Sequence, residues 1–314
     1  LDSKMPKIIH LDENHELLKN ELEKLGFKNY FDLISTKKEV EKKIWEYQGI
    51  ILRSRIEIDK KFIDSCKNLK FIARVGSGLE NIDTDYAKKK NIEIISASEG
   101  NANAVGEHAL GMLLSLLNKI IKSNNEIKNN IWAREQNRGI ELDGKTIGII
   151  GYGNTGKSLA KKLSGFNVRI LCNDIIEEIS DKYATQVSIS EIMKSCDIIS
   201  LHTNLNDSSF QLINKNFINN CKKPFFLINT SRGECLKTSD VVDGIKTDKI
   251  LGACLDVIEN ESKSFENLNT NSDLEYLKKS EKVVLTPHIA GWSIESKLKL
   301  AQVVLEKIKD LYGK

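Results

Sequence analysis

The sequence predicts an α/β protein of two doubly wound domains, each a parallel sheet with helices on both faces. Three observations predict it. Short apolar, β-branched runs alternate with helical patterns over residues 5–100, the pattern of a parallel sheet with crossover helices. The alternation resumes at Lys145 and opens with a strand, a glycine-rich turn, a helix and a second strand, K-T-I-G-I-I-G-Y-G-N-T-G-K to C-N-D at Asp174. The chain is 314 residues long, room for two domains.

In the first domain the strand-like runs are Lys7–His10, Gly49–Leu52, Lys70–Val75 and Ile92–Ile95. Leu18, Leu22 and Leu25 recur at helical spacing, and Gly26 is placed to cap that helix at its C-terminus. Ala104 to about Lys122 reads as one long helix joining the domains, with Ala109, Met112, Leu113, Leu116 and Leu117 on its apolar stripe. Ser123 to Glu141 reads as a polar segment bearing Ile131 and Trp132. In the second domain the runs Thr146–Ile150, Val168–Cys172, Asp197–Leu201, Phe225–Ile228, Ile250–Ala253 and Val283–Leu285 read as strands. Asn260 to Lys279 reads as a surface loop plus a short helix. Ile294 to Tyr312 reads as a final amphipathic helix with Leu298, Ala301, Val304, Leu305 and Ile308 on one side.

The glycine turn carries the first chemical signal. Gly151 permits a tight turn out of the strand, Gly153 leaves room for a pyrophosphate, and Gly156 lets the helix lie close to the sheet. The helix N-terminus then offers N–H groups and partial positive charge to phosphate. Asp174 stands 18 positions after Gly156, where an acid would take the ribose hydroxyls. A carboxylate accepts from a 2′-hydroxyl and repels a 2′-phosphate, so the expected cofactor is NAD rather than NADP. The competing reading is a glycine turn in a doubly wound protein that binds no dinucleotide.

Composition narrows the field. Net charge is +3, from 47 Lys and Arg against 44 Asp and Glu, and the lysines are spread along the chain, which argues against nucleic acid. The six cysteines make no C-x-x-C and no metal spacing; several lie in apolar runs, as buried thiols in a reducing, cytoplasmic compartment would. No apolar segment reaches membrane-spanning length, and residues 1–7 show no signal-peptide core; Met5 is a candidate natural start.

Three ionisable residues follow predicted strands of the second domain: Arg232 in N-T-S-R-G, Glu261 in D-V-I-E-N-E, and His288 in T-P-H-I-A-G. Ligands of open α/β sheets bind at strand carboxyl ends. There an Arg can grip a carboxylate through two N–H groups, a His can move a hydroxyl proton, and a Glu can hold the imidazole. Glu259 is the rival for the acidic role. His10 and His15 read as surface or strand-end residues without a role, and His108 as structural. His202 reads as a strand-end residue on the adenine side whose packing role competes with a cofactor contact.

Together these motifs resemble the D-isomer-specific 2-hydroxyacid dehydrogenase family, over essentially the whole chain. R-S-R at Arg53–Arg55, R-V-G-S-G-L-E-N-I-D at Arg74–Asp83 and A-V-G-E-H-A-L at Ala104–Leu110 extend the resemblance. It implies that Arg232, Glu261 and His288 are the catalytic three. It implies cofactor contacts from Gly151, Gly153, Asn154, Thr155, Gly156, Asp174, His202, Thr203, Thr230, Ser231, Arg232, Asp256, His288, Ile289, Ala290 and Gly291, and a substrate-carboxylate loop at Val75, Gly76, Ser77 and Gly78. It also implies a Rossmann-type NAD domain, residues 104–289, inserted in a flavodoxin-like substrate domain, residues 5–103 and 290–314, with the molecule a homodimer acting on a small-molecule substrate. W-A-R at Trp132–Arg134 is similar to the phosphoglycerate dehydrogenase branch, in which Arg53, Ser54, Arg74 and Arg134 would meet a substrate phosphate. Glyoxylate and hydroxypyruvate reductases, and a non-catalytic NAD-sensing protein of the same fold, are the alternatives. Asn204 and Ser262 stand where the family usually has proline, and with a final helix at Ile294–Tyr312 the expectation is a form without the regulatory module some phosphoglycerate dehydrogenases carry.

Overall fold

The computed structural model describes residues 5–259, 261 and 271–313. They fall into two compact units, residues 5–101 with 292–313, and residues 102–259, 261 and 271–291. Each unit is built on one parallel sheet.

The first unit contains β1 (Lys7–His10), β2 (Lys28–Phe31), β3 (Gly49–Leu52), β4 (Phe71–Arg74) and β5 (Glu93–Ile95) in the order β2-β1-β3-β4-β5. That is the flavodoxin-like order 2-1-3-4-5. Neighbouring residues of one strand go to opposite cores. Ile8, Ile51, Phe71 and Ala73 pack with Leu18, Leu22, Ala301, Val304, Leu305 and Ile308 of the helices Glu16–Lys24 and Ile294–Tyr312. Ile9, Ile50, Leu52 and Ile72 pack with Phe62 and Ile63 on the other face. A sheet covered on both faces needs continuous apolar strands, which is why β1 and β3 are legible in the sequence. β2 is not, because an edge strand reading K-N-Y-F and only half-buried has no apolar run to see.

Of the two readings of His10, the strand-end one holds: it is the last residue of β1 and is buried at 1% exposure. Its Nε2–H donates to Asn29 Oδ1 at 2.8 Å, its ring stacks on Phe31 at 4.6 Å, and burial pushes its pKa down to about 4. His15 has a local role as the N-cap of the helix Glu16–Lys24, its Nδ1 accepting from Leu17 N at 3.2 Å.

The second unit contains β6 (Thr146–Ile150), β7 (Arg169–Asn173), β8 (Thr185–Gln186), β9 (Ile198–Leu201), β10 (Phe225–Asn229), β11 (Ile250–Leu255) and β12 (Val283–Leu285). Their order is β12-β11-β10-β9-β6-β7-β8. Counted from β6, this is the dinucleotide-fold order with one further strand, and it reverses between β6 and β9. The crevice beyond the carboxyl ends of those strands is the place such a sheet offers a ligand. β8, two residues at an edge, was not legible in the sequence.

The expected long helix is two helices, Ala102–Leu117 and Ile120–Lys128, bent by 60°. Lys119 adopts φ +52°, a left-handed conformation that ends the first helix, and the carbonyl of Leu117 turns to accept from Ile140 N. The first helix buries Ala109, Met112, Leu113, Leu116 and Leu117 as expected, while the second buries nothing and leaves Ile120, Ile121 and Ile127 exposed. Among the described residues no single helix is long and apolar enough to cross a membrane; these two pass only as a bent pair. Of the predicted loop from Asn260, the helix Ser272–Lys279 is present, while Asn260 and residues 262–270, Ser262 included, lie outside the described residues.

Candidate active site

β6 runs directly into the glycine turn. Gly151 has φ +88°, and a Cβ there would lie 2.6 Å from the His202 backbone. A Cβ on Gly156 would lie 2.3 Å from the Gly151 carbonyl oxygen. Both positions therefore demand glycine, one for conformation and one for the closeness of helix to turn. Gly153 differs: nothing lies within 4 Å of where its Cβ would be. It is the N-cap of the helix Asn154–Leu163 and supplies no side-chain cap, so the helix presents its positive end across an open cradle that includes Thr155. Asp174 follows β7 directly. Its Oδ2 accepts from Tyr152 N at 2.6 Å and its Oδ1 from Ile176 N at 3.0 Å, fixing the carboxylate at the lip of the turn. One residue beyond the paired strands β9 and β10, His202 Nδ1 and Thr230 Oγ1 are buried polar atoms without a hydrogen-bond partner. An open phosphate cradle, a fixed carboxylate and two unsatisfied polar atoms at strand ends fit a dinucleotide.

His202 is the less accessible of these residues. Its ring is buried, its Nε2 meets Ser200 Oγ at 2.8 Å, and burial pushes its pKa down to about 4, so it is neutral. It packs beneath Gly151, the strand-end role weighed for it. Thr203 Oγ1 lies 3.4 Å from Cys235 Sγ.

The loop after β10 carries Arg232. Asn229, the last residue of that strand, is fully buried. Its Oδ1 accepts from Ser231 N at 3.0 Å and Ser231 Oγ at 2.8 Å, and its Nδ2 donates to Arg232 O at 2.9 Å. One amide thus shapes the turn that presents the arginine. The Arg232 Nη1 donates to Ser231 O at 2.6 Å. Asn229 was not singled out from sequence; the available signal was an Asn at a strand end, whose side chain readily bonds its own backbone.

The next residue joins this loop to the one after β11. A Cβ on Gly233 would lie 2.1 Å from Ile258 C, so only glycine lets the two loops touch. The second loop resolves the choice between two acids. Glu259 accepts from Thr238 N at 2.9 Å, at the start of the helix Thr238–Lys246, and from Gln211 Nε2 at 3.3 Å; it is structural. Glu261 accepts from Ile258 N at 2.6 Å through Oε1 and meets His288 Nδ1 at 2.6 Å through Oε2. A carboxylate can only accept, so Nδ1 carries the proton of that contact and the chemistry falls to Nε2.

His288 sits in the loop after β12 with φ +55°, a conformation that costs a side-chain-bearing residue about 1 kcal/mol or more. Asp256 stabilises it. Its backbone carbonyl accepts from His288 N at 2.7 Å. Its Oδ1 accepts from Thr286 Oγ1 at 2.5 Å and Ile289 N at 2.9 Å, and its Oδ2 accepts from Ala290 N at 2.9 Å. At 1% exposure, with both oxygens engaged, Asp256 shapes the loop from below; the direct cofactor contact expected of it is not available in this arrangement. Burial makes a bonded carboxylate a rigid anchor but removes its surface.

The residues expected to meet substrate divide between the units. In the first, Arg53 and Arg74 lie at the carboxyl ends of the paired strands β3 and β4, with Ser54 beside them. Arg53 N donates to Asp12 Oδ2 at 2.6 Å, and its guanidinium lies over the Trp292 ring at 4.4 Å. Arg74 folds over Gly76, where a Cβ would meet its Nη1 at 1.7 Å. Val75 and Gly78 are buried, and Ser77 Oγ donates to Asn101 Oδ1 at 2.8 Å. Arg55 is structural, bonded to the carbonyls of Leu11, Asp32 and Ser35. Arg134 belongs to the second unit and is exposed. Trp292 was missed from sequence, since an aromatic after a glycine carries no spacing signal.

Known proteins resemble this chain in sequence and in fold. Residues 110–290 match the family described as D-isomer specific 2-hydroxyacid dehydrogenase, NAD binding domain. The chain is 31% identical over 281 residues to the D-3-phosphoglycerate dehydrogenase of Archaeoglobus fulgidus, covering 88% of this chain and 51% of that one. It is 32% identical over 272 residues to the hydroxypyruvate reductase of Thermotoga maritima, covering 87% of each. It therefore spans about half the length of the first relative and most of the second. Among solved structures it is similar to D-lactate dehydrogenase from Aquifex aeolicus complexed with NAD and lactic acid, with a TM-score of 0.81 and 25% identity over 98% of this chain and 95% of that one.

Proposed function

This chain belongs to the D-isomer-specific 2-hydroxyacid dehydrogenase family, and from that premise we propose that it is an NAD-dependent enzyme interconverting 3-phospho-D-glycerate and 3-phosphohydroxypyruvate. The observation that carries the reaction class is the 2.6 Å contact between Glu261 Oε2 and His288 Nδ1, in a loop held against that of Arg232. When bound, the reduced cofactor supplies the hydride that the carbonyl carbon of a 2-oxo acid accepts. His288 Nε2 gives its proton to the carbonyl oxygen, so the product is the neutral hydroxyl and the ring ends as imidazole. Glu261 orients the ring and balances its charge while it is protonated. Arg232 grips the substrate carboxylate and polarises the carbonyl. Gly153, Thr155 and the helix end behind them would hold the pyrophosphate, and Asp174 the ribose hydroxyls. The intact Arg232, Glu261 and His288 argue against a non-catalytic NAD sensor.

The substrate assignment is supported by Arg53 and Arg74 at neighbouring strand ends, two fixed cations suited to a phosphate. Hydroxypyruvate is the alternative, favoured by the reductase that this chain matches over most of its length. NADH absorbance with phosphohydroxypyruvate, hydroxypyruvate and glyoxylate decides between them. The expected result is a kcat/KM at least about tenfold higher for the phosphorylated acid, the scale of one charge-assisted contact; preference for hydroxypyruvate would overturn it. The proposed assembly is a homodimer. Ile120, Ile121, Ile127, Ile131 and Trp132 are exposed together, Trp132 at 79%, and a second copy would cover them. A monomeric mass by light scattering at micromolar concentration would refute the dimer. Five buried free cysteines support a reducing, cytoplasmic setting.

A further inference from the structure

We propose that His108 is a positioning residue for the reaction, acting on His288 through Thr286 and Asp256; the proposal rests on His288 being the proton donor. His108 stands on the helix Ala102–Leu117, and its Nε2 lies 3.0 Å from Thr286 Oγ1 and 3.5 Å from Asp256 Oδ1. The direction of these bonds follows from counting protons. Thr286 has one hydroxyl proton, and at 2.5 Å it is donated to Asp256 Oδ1; the Met112 sulfur at 3.7 Å is a far weaker acceptor. The Thr286 oxygen must therefore accept from His108, so Nε2 of His108 carries a hydrogen. The chain of donation runs from His108 through Thr286 to Asp256.

Asp256 binds the His288 loop on both sides of the left-handed residue, through Thr286 before it and Ile289 and Ala290 after it. A buried carboxylate holds its position only while its donors hold theirs. Without His108, the Thr286 oxygen loses the donor that polarises and orients its hydroxyl, and the bond from that hydroxyl to Asp256 Oδ1 weakens. The loop next to His288 relaxes, and the Nδ1 contact with Glu261 is the alignment at risk. The helix on which His108 stands thus bears on proton transfer without touching a reacting atom.

The test compares His108→Ala, His108→Gln and Thr286→Val with wild type in kcat, KM, NADH affinity by fluorescence and thermal midpoint, using the best 2-oxo acid substrate. The expected result is a kcat about tenfold lower for His108→Ala, the scale of a lost hydrogen bond to a charged group, with NADH affinity and thermal midpoint unchanged. Gln, which can place an amide donor at the Nε2 position, restores most of kcat. The double variant His108→Ala with Thr286→Val falls no further than either single variant, because both break one chain. Wild-type kcat in His108→Ala, no rescue by Gln, additive losses, or loss of NADH affinity and thermal midpoint along with kcat would each overturn the proposal. His288→Ala is the control for its premise. If that variant turns over normally, the proton-donor reading falls too; if it is inactive while His108→Ala is normal, only the positioning role falls.

Discussion

In the first unit the loops after β3 and β4 are also bonded to their neighbours, but those bonds end on backbone carbonyls: Asn81 donates to Arg53 and Ile56, and Arg55 to Leu11, Asp32 and Ser35. Arg53 is held by Asp12 and lies over Trp292, and Arg74 folds over its own loop. In the second unit the loops after β10, β11 and β12 are tied to one another: Gly233 lies against Ile258, Glu261 bonds His288, and Asp256 bonds residues 286, 289 and 290. Both sheets are parallel and doubly wound, so the difference lies in the loops. A long cation can find a phosphate from a single rigid anchor. A proton donor and its orienting acid lose function when displaced by about 1 Å, so the loops that carry them must brace each other.

The comparison is broken most directly at His288. His288→Ala should lower kcat about 10³-fold while NADH still binds, within the usual range for a general acid; near-normal turnover would remove the chemistry from the second unit. Acid stability comes next, and here the units should behave alike, since each buries one neutral histidine. Burial holds His10 and His202 at about 4 in the folded protein, below the 6.5 of an exposed ring. The unfolded chain therefore binds more protons between pH 6.5 and 4. Stability is complete above that window and falls as pH drops through it, by about 3 kcal/mol per histidine. Denaturant unfolding at stepped pH measures this, and a flat profile over the window would contradict both burials.

Gly233→Ala sharpens the point about bracing. It removes no catalytic group, yet its Cβ must push the Arg232 loop off Ile258. A fall in kcat of about 10²-fold is expected, read in the same assay with folding checked by circular dichroism; unchanged kcat would mean that the contact is incidental. Arg53→Ala should have the smallest effect and a different form. KM for phosphohydroxypyruvate should rise about tenfold with kcat little changed, as for lost uniform binding, and hydroxypyruvate should be barely affected. Equal losses on both substrates would take Arg53 out of phosphate recognition.

Local pattern by itself determined most of the architecture. The apolar runs of β1, β3, β6 and β12 and the helix Ile294–Tyr312 stand where their residues predict, because strands covered on both faces and helices with one buried face must write their burial into sequence. The glycine turn was legible for a related reason: no other residue tolerates φ +88° at Gly151 or the closeness of the chain at Gly156. Three things were decided only in the tertiary structure. The break at Lys119 depends on how the following segment returns to Leu117, and no residue at that point forbids a helix. The roles of Glu259 and Glu261 depend on which carboxylate meets a helix start and which meets His288, partners 21 and 27 residues away. The burial of His10 and Asp256 depends on elements packed over them from elsewhere in the chain. Residue type and spacing encode what a segment can bury or which backbone it can adopt. Which polar partner a side chain finds is a property of distance in space, and that exists only once the loops have met.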